Sequence, residues 1–236
     1  MMGGSTLIYF ALVMLLPLLA QWKVKSAYNR YKQVRTLSGL TGREVAEIML
    51  KANGITDVRI ARGDVELSDH YNPTENLVVL SPIVHDQATV ASVAIAAHEI
   101  GHVIQDKVAD YKPMRWRHAL VPLANLGGNL SMIIIMVGMG LTYMVGTFGV
   151  TIAWIGVAFM LFAVMFQVVT LPVEFDASKR ALEQITELGI VNEQERRHSK
   201  KVLTAAALTY VAAAAVALME LVRFVMILLN MNRNEE

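Results

Sequence analysis

The sequence predicts a mainly α membrane protein, with four transmembrane helices carrying a small cytosolic α+β domain. Three observations lead there. Of 236 residues, 55% are hydrophobic and only 17% are charged, whereas soluble domains carry about 25% charged residues. The apolar residues gather in runs of membrane-crossing length, and one of these, residues 119–173, holds no charged residue. The Lys and Arg clusters all fall between the runs in a way that puts them on one side of a four-span arrangement. Composition also excludes several classes. With no cysteine, disulfides and thiolate-held zinc are ruled out. A net charge of +1 argues against a broad nucleic-acid surface.

Residues 1–22 read as the first anchor, with Thr6 to Trp22 just long enough to span a hydrocarbon core. A cleaved leader would want a basic residue before the apolar run, and Met1 to Thr6 has none. Lys23, Lys25, Arg30, Lys32 and Arg35 follow it instead, which sets the N-terminus outside and the C-terminal flank in the cytoplasm. Pro17 is placed to kink this helix.

Residues 23–118 have the composition of a small soluble α+β domain. Thr41-Gly42-Arg43-Glu44 fits a capping box, followed by an apolar stripe (Val45, Ala46, Ile48, Met49, Ala52) and a stop at Gly54. Three short runs, Val58 to Ala61, Val65 to Asp69 and Leu77 to Leu80, read as strands. Arg62-Gly63-Asp64 and Tyr71 to Asn76 read as turns between them. The expectation is an antiparallel meander with one open edge, which either receives an extended peptide or merely covers a helix. Ser81-Pro82 ends the sheet and leads into a helix that is too short in uncharged residues to be a span.

That helix carries His98-Glu99-Ile100-Gly101-His102. Residues four apart stack on one helical face, so the two imidazoles can share one metal ion, with Glu99 beside it to take a proton from an attacking water.

Residues 119–173 are too long for one helix and suit a hairpin of two, turning near Gly146-Thr147-Phe148-Gly149. Gly127, Gly128, Gly138, Gly140 and Gly156 read as points of close helix approach. Pro172 is expected to help end the second span. Residues 174–201 return to a polar segment, with an amphipathic stretch from Leu182 to Leu188 closed by Gly189 and a basic cluster of Arg196, Arg197, Lys200 and Lys201. Residues 202–229 form the last span and 230–236 an external tail, so both termini lie outside.

A catalytic zinc needs three protein ligands and an open position. A histidine six residues after His102 would mark the elongated metalloprotease motif, but that position is Val108. Site-2-type intramembrane proteases place the pair within a span, which the lengths here oppose. Glu174 is the best remaining third ligand, because two spans separate it from His102 and return the chain to the same face. Gln167, Thr170 and Glu174 share a helix face, either a polar stripe below the metal or an ordinary inter-helix hydrogen-bonding face. His118, His70 and Tyr71 are candidates to stabilise an oxyanion, while His85 and His198 read as solvated. Glu220 and Arg223, one turn apart in the last span, would suit a transporter if functional, or else neutralise each other or snorkel.

The sequence resembles the YugP-type neutral zinc metallopeptidases of bacterial membranes along essentially its whole length. The match rests on Asp69-His70-Tyr71-Asn72-Pro73, Leu80-Ser81-Pro82, the histidine motif, Leu171-Pro172-Val173-Glu174-Phe175-Asp176-Ala177-Ser178, and residues 202–210. The order of parts is also similar to HtpX-type and CAAX-type membrane gluzincins. The resemblance implies a zincin-like metalloprotease domain, with Zn²⁺ held by His98, His102 and Glu174 and with Glu99 as general base. Gluzincins usually carry an aspartate four residues after the ligand glutamate. Here that position is Ser178, and the nearest acid is Asp176, so either is a candidate for the residue that orients a metal-binding histidine. The expected partners are the lipid bilayer and peptide or protein substrates, unfolded or membrane-proximal, with no nucleic acid; an oligomer is compatible with the sequence. By analogy the setting is the cytoplasmic membrane and membrane-protein quality control. A non-catalytic zinc-binding scaffold and, behind it, the transporter are the competing readings.

Overall fold

A computed structural model describes residues 4–233. The chain is mainly helical with one small sheet, and divides into two compact units. Among the described residues, four helices are long and apolar enough to cross a membrane: α1 (Gly4–Tyr31), α5 (Lys112–Val145), α6 (Thr147–Glu187) and α7 (Glu193–Arg233).

One unit comprises residues 18–114 and 172–209. Its centre is α4 (Val90–Lys107), which carries the histidine motif. The hydroxyl of Thr89 caps this helix by accepting from the Ser92 N–H. Fourteen of its eighteen residues are buried, so α4 runs through the interior with little polar surface to spare. The helix α2 (Gly42–Ala52) packs against it. The capping box is present, with Thr41 and Glu44 bonding each other's backbone N–H, and Gly54 provides the left-handed residue beyond the end at φ +68°. Val45, Ala46 and Met49 of α2 are fully buried beside Val90, Val93 and Ala97, at roughly 1.5–3 kcal/mol for each large apolar side chain.

The sheet corrects the expected antiparallel meander. Its strands are β1 (Arg59–Arg62), β2 (His70–Asn72) and β3 (Leu77–Leu80), in the order β1-β3-β2. β1 pairs with β3 in parallel and β2 with β3 antiparallel, so the sheet is mixed. The stretch Val65 to Asp69 is no strand. Leu67 has φ 60° and Val65 is 64% exposed, the signature of a turn that carries the chain back across the sheet. A short helix, α3 (Pro82–Asp86), stands between Ser81 and α4.

Among the described residues, the other unit comprises 4–17, 115–171 and 210–233. Gly146, at φ +56°, separates α5 from α6, where the sequence places the hairpin turn. Ile135, Ala153, Val157, Met160, Val164, Phe224 and Leu228 form its buried cluster. Added methyl groups at Gly127, Gly138 and Gly156 would run into the facing helix, whereas Gly128 and Gly140 face open space and are not contact points. Pro172 lies inside α6, which continues to Glu187; the expected end of the span is therefore a passage within one helix, not a break.

Candidate metal centre

The first unit holds all the residues of the centre. α4 presents His98 and His102 on one face, with ring centroids 4.7 Å apart. Across from them, the start of the polar stretch of α6 presents Glu174, whose side chain is 2% exposed. The two helices approach closely because residue 101 has no side chain: a Cβ there would lie 2.5 Å from the Ala177 carbonyl oxygen. Glu174 Oε2 lies 3.2 Å from His98 Nε2 and 3.5 Å from His102 Nε2. Metal spokes of about 2.1 Å in a tetrahedron give ligand-to-ligand edges of about 3.4 Å. The nitrogen–oxygen edges thus fit a zinc ion, and two imidazoles with one carboxylate are a borderline donor set suited to it. Among the described residues this is the group of His and acidic side chains whose ligand atoms converge, within 4.8 Å of one another.

A hydrogen-bond chain fixes His102. The Gln105 side-chain amide, fully buried, donates to the Val173 carbonyl and to Asp176 Oδ2, both at 2.8 Å. Both partners can only accept, so the amide nitrogen must face them and the amide oxygen must face His102. That oxygen lies 3.0 Å from His102 Nδ1, and it too can only accept. His102 therefore donates from Nδ1, which leaves Nε2 as the nitrogen that faces Glu174. Asp176 is held in turn by Arg180 Nε at 2.6 Å. Ser178 Oγ lies 3.2 Å from His98 Nδ1. Asp176 and Ser178 thus serve different histidines, one through Gln105 and one directly. Sequence reasoning missed Gln105; its position three residues after His102, on the ligand face of an otherwise apolar helix, was the available signal.

Glu99 is 7% exposed. Burial pushes its carboxyl up to about 7, against the opposing pull of His98. Asp69, also raised by burial, accepts from the backbone N–H and hydroxyl of Ser81 at 2.7 and 3.0 Å, clasping the end of β3 to the approach to β2.

The remaining named residues are placed elsewhere or otherwise engaged. Tyr71 donates its hydroxyl to Asp106 at 2.8 Å, tying β2 to α4. His70 is exposed and bonds the Ser68 carbonyl. His118 belongs to the other unit. His85 is not solvated as expected but pairs with Asp86 at 2.6 Å, and His198 packs on the Tyr31 ring at 5.0 Å. In the other unit, the Arg223 guanidinium lies 4.6 Å from the Tyr9 ring and 4.9 Å from that of Phe10, a cation–π arrangement that accommodates a charge within an apolar helix.

Four helices long and apolar enough to cross a membrane, with a His-His-Glu group able to hold a metal ion, are the parts that a membrane metallopeptidase requires. The chain belongs to the family described as putative neutral zinc metallopeptidase, which matches residues 6–229. It is similar to the "Putative membrane protease YugP" of Bacillus subtilis (strain 168), with 41% identity over 213 residues, covering 89% of this chain and 91% of that protein. No solved structure matches.

Proposed function

We propose that the protein is a membrane-embedded zinc endopeptidase that hydrolyses peptide bonds at the cytoplasmic membrane surface, in a zincin-like domain. The observation that carries this reading is the convergence of Glu174 Oε2 on both histidine Nε2 atoms at tetrahedral edge lengths. His98, His102 and Glu174 would hold the ion. Zinc bound there supplies a Lewis acid that polarises a peptide carbonyl and makes water acidic near neutral pH. Glu99 accepts a proton from the attacking water and returns it to the leaving amine. Its elevated proton affinity suits a base that must also act as an acid near neutrality. Gln105 and Ser178 hold the imidazoles in the orientation that this work requires.

β2 is an edge strand that packs on α4, and its unpaired side suits an extended peptide laid beside the motif helix. Such a strand reads backbone more than side chains, which fits unfolded or membrane-proximal segments as substrates. The positive flanks of the four spans support a cytoplasmic location for this unit, with both termini outside.

The test is Glu99→Gln in the purified full-length protein. The expected result is retained zinc with casein cleavage reduced at least about a thousandfold, as for loss of a proton-transfer group. Zinc retained in both forms with no cleavage by either would favour the scaffold. Cleavage undiminished by the substitution would overturn the assignment of Glu99.

A further inference from the structure

A groove of about 640 Å³ lies between the second half of α1 and the first part of α7, outside the metal centre and within the same unit. Volumes of this order hold small molecules. The helices run antiparallel there: Tyr31 packs on His198 at 5.0 Å, and the groove extends from that contact toward Trp22 and Ala205. Its two ends differ in chemistry. At one end stand Trp22 and Ala205, where both helices enter their apolar runs, with Lys23 next to Trp22 at that boundary. Toward the other stand Arg30, Arg197, Lys200 and Lys201. No lining residue is acidic. Glu193 reaches Arg197 only at 4.0 Å, and both side chains are more than half exposed, so that cation keeps most of its field.

A concave site that grades from apolar to cationic along a membrane-spanning helix pair matches an amphiphile with an anionic head. The apolar-to-basic boundaries of the two helices, Trp22/Lys23 and Lys201/Val202, both fall along this groove. Trp22 marks the interfacial level by its residue type. We propose that this groove is a binding site for an anionic phospholipid, its phosphate held by Arg30, Lys200 and Lys201 and its chains leaving past Trp22. Orientation in the membrane alone would account for basic residues at span ends, but it asks for no groove and no particular pair of them. The proposal does not depend on the peptidase reading.

The test uses the full-length protein in neutral detergent, titrated with dihexanoyl phosphatidylglycerol, dihexanoyl phosphatidylcholine or inorganic phosphate, and followed by native mass spectrometry. Expected is saturable binding of the phosphatidylglycerol that excess inorganic phosphate does not displace, with weak binding of the phosphatidylcholine. At roughly fivefold per interfacial cation, Arg30→Gln/Lys201→Gln should weaken it about thirtyfold and Lys200→Gln alone about fivefold. Lys25→Gln/Lys179→Gln removes two exposed cations that do not line the groove and should change it less than about threefold. Equal loss in the two double variants would show a diffuse surface effect and overturn the proposal. So would equal affinity for phosphatidylcholine, or displacement by phosphate, which would indicate a site for a free anion.

Discussion

Gly101→Ala tests the packing that makes the metal centre. The new methyl would sit 2.5 Å from the Ala177 carbonyl oxygen, 3.1 Å from its carbon and 3.2 Å from its Cα. Ordinary C···O contacts in packed helices begin at about 3.3 Å. The obstacle is backbone on a buried helix, so no side-chain rotation relieves it, and the helices must part by roughly 0.8 Å. Position 101 lies next to His102 and three residues after His98, while Ala177 lies three residues after Glu174. The separation therefore passes almost undiminished to the ligand edges of 3.2 and 3.5 Å. Metal–ligand distances tolerate only about 0.2 Å. The expected result is a fall in zinc affinity of at least about a hundredfold, read by chelator competition. A loss of ~1–3 kcal/mol in stability should accompany it, as for overpacking. Gly128→Ala meets nothing within 4 Å and should be neutral or slightly stabilising. Wild-type zinc affinity in Gly101→Ala would refute the argument that helix proximity sets the site.

Two further outcomes follow from the same geometry. Gln105→Leu removes the acceptor that holds His102 in its Nδ1–H form and should lower zinc affinity about ten- to a hundredfold. Gln105→Met, which keeps the volume without an acceptor, should lose as much in the same competition assay; wild-type affinity in Gln105→Met would point to packing alone. In chelated protein, burial raises the Glu99 carboxyl from 4.5 to about 7, so its contribution to stability is full below about pH 4.5 and is lost as pH rises through 7. A shift of this size corresponds to roughly 3 kcal/mol. Melting curves of chelated protein should thus fall between pH 5 and 8 more steeply for the wild type than for Glu99→Gln, and parallel curves would contradict the burial argument.

The large elements were legible because long-range constraints write themselves into composition. A charge-free stretch from Ala119 to Val173 must double back, and that return makes Glu174 a candidate partner of the histidines. The cap at Thr41 and the stops at Gly54 and Gly189 were legible because side-chain and backbone chemistry there is local. The sheet was not. Strands of three or four residues give too few positions for alternation to identify, and the apolar Val65 and Leu67 imitate a strand while sitting in a turn. Pro172 misled for a related reason, since it reads locally as a stop while α6 runs through it and is packed before it at Ala153 and Phe159 and after it at Ala177. Gln105 was hidden because its role depends on a partner 71 positions away.

The measurement closest to the central claim is the zinc content of the purified protein beside that of Glu174→Ala and Glu183→Ala, the latter removing an exposed acid farther along the same helix. Stoichiometric zinc in the wild type and Glu183→Ala, with loss of zinc and of casein cleavage in Glu174→Ala, is the predicted result. Full zinc in Glu174→Ala would contradict a centre gripped jointly by α4 and α6.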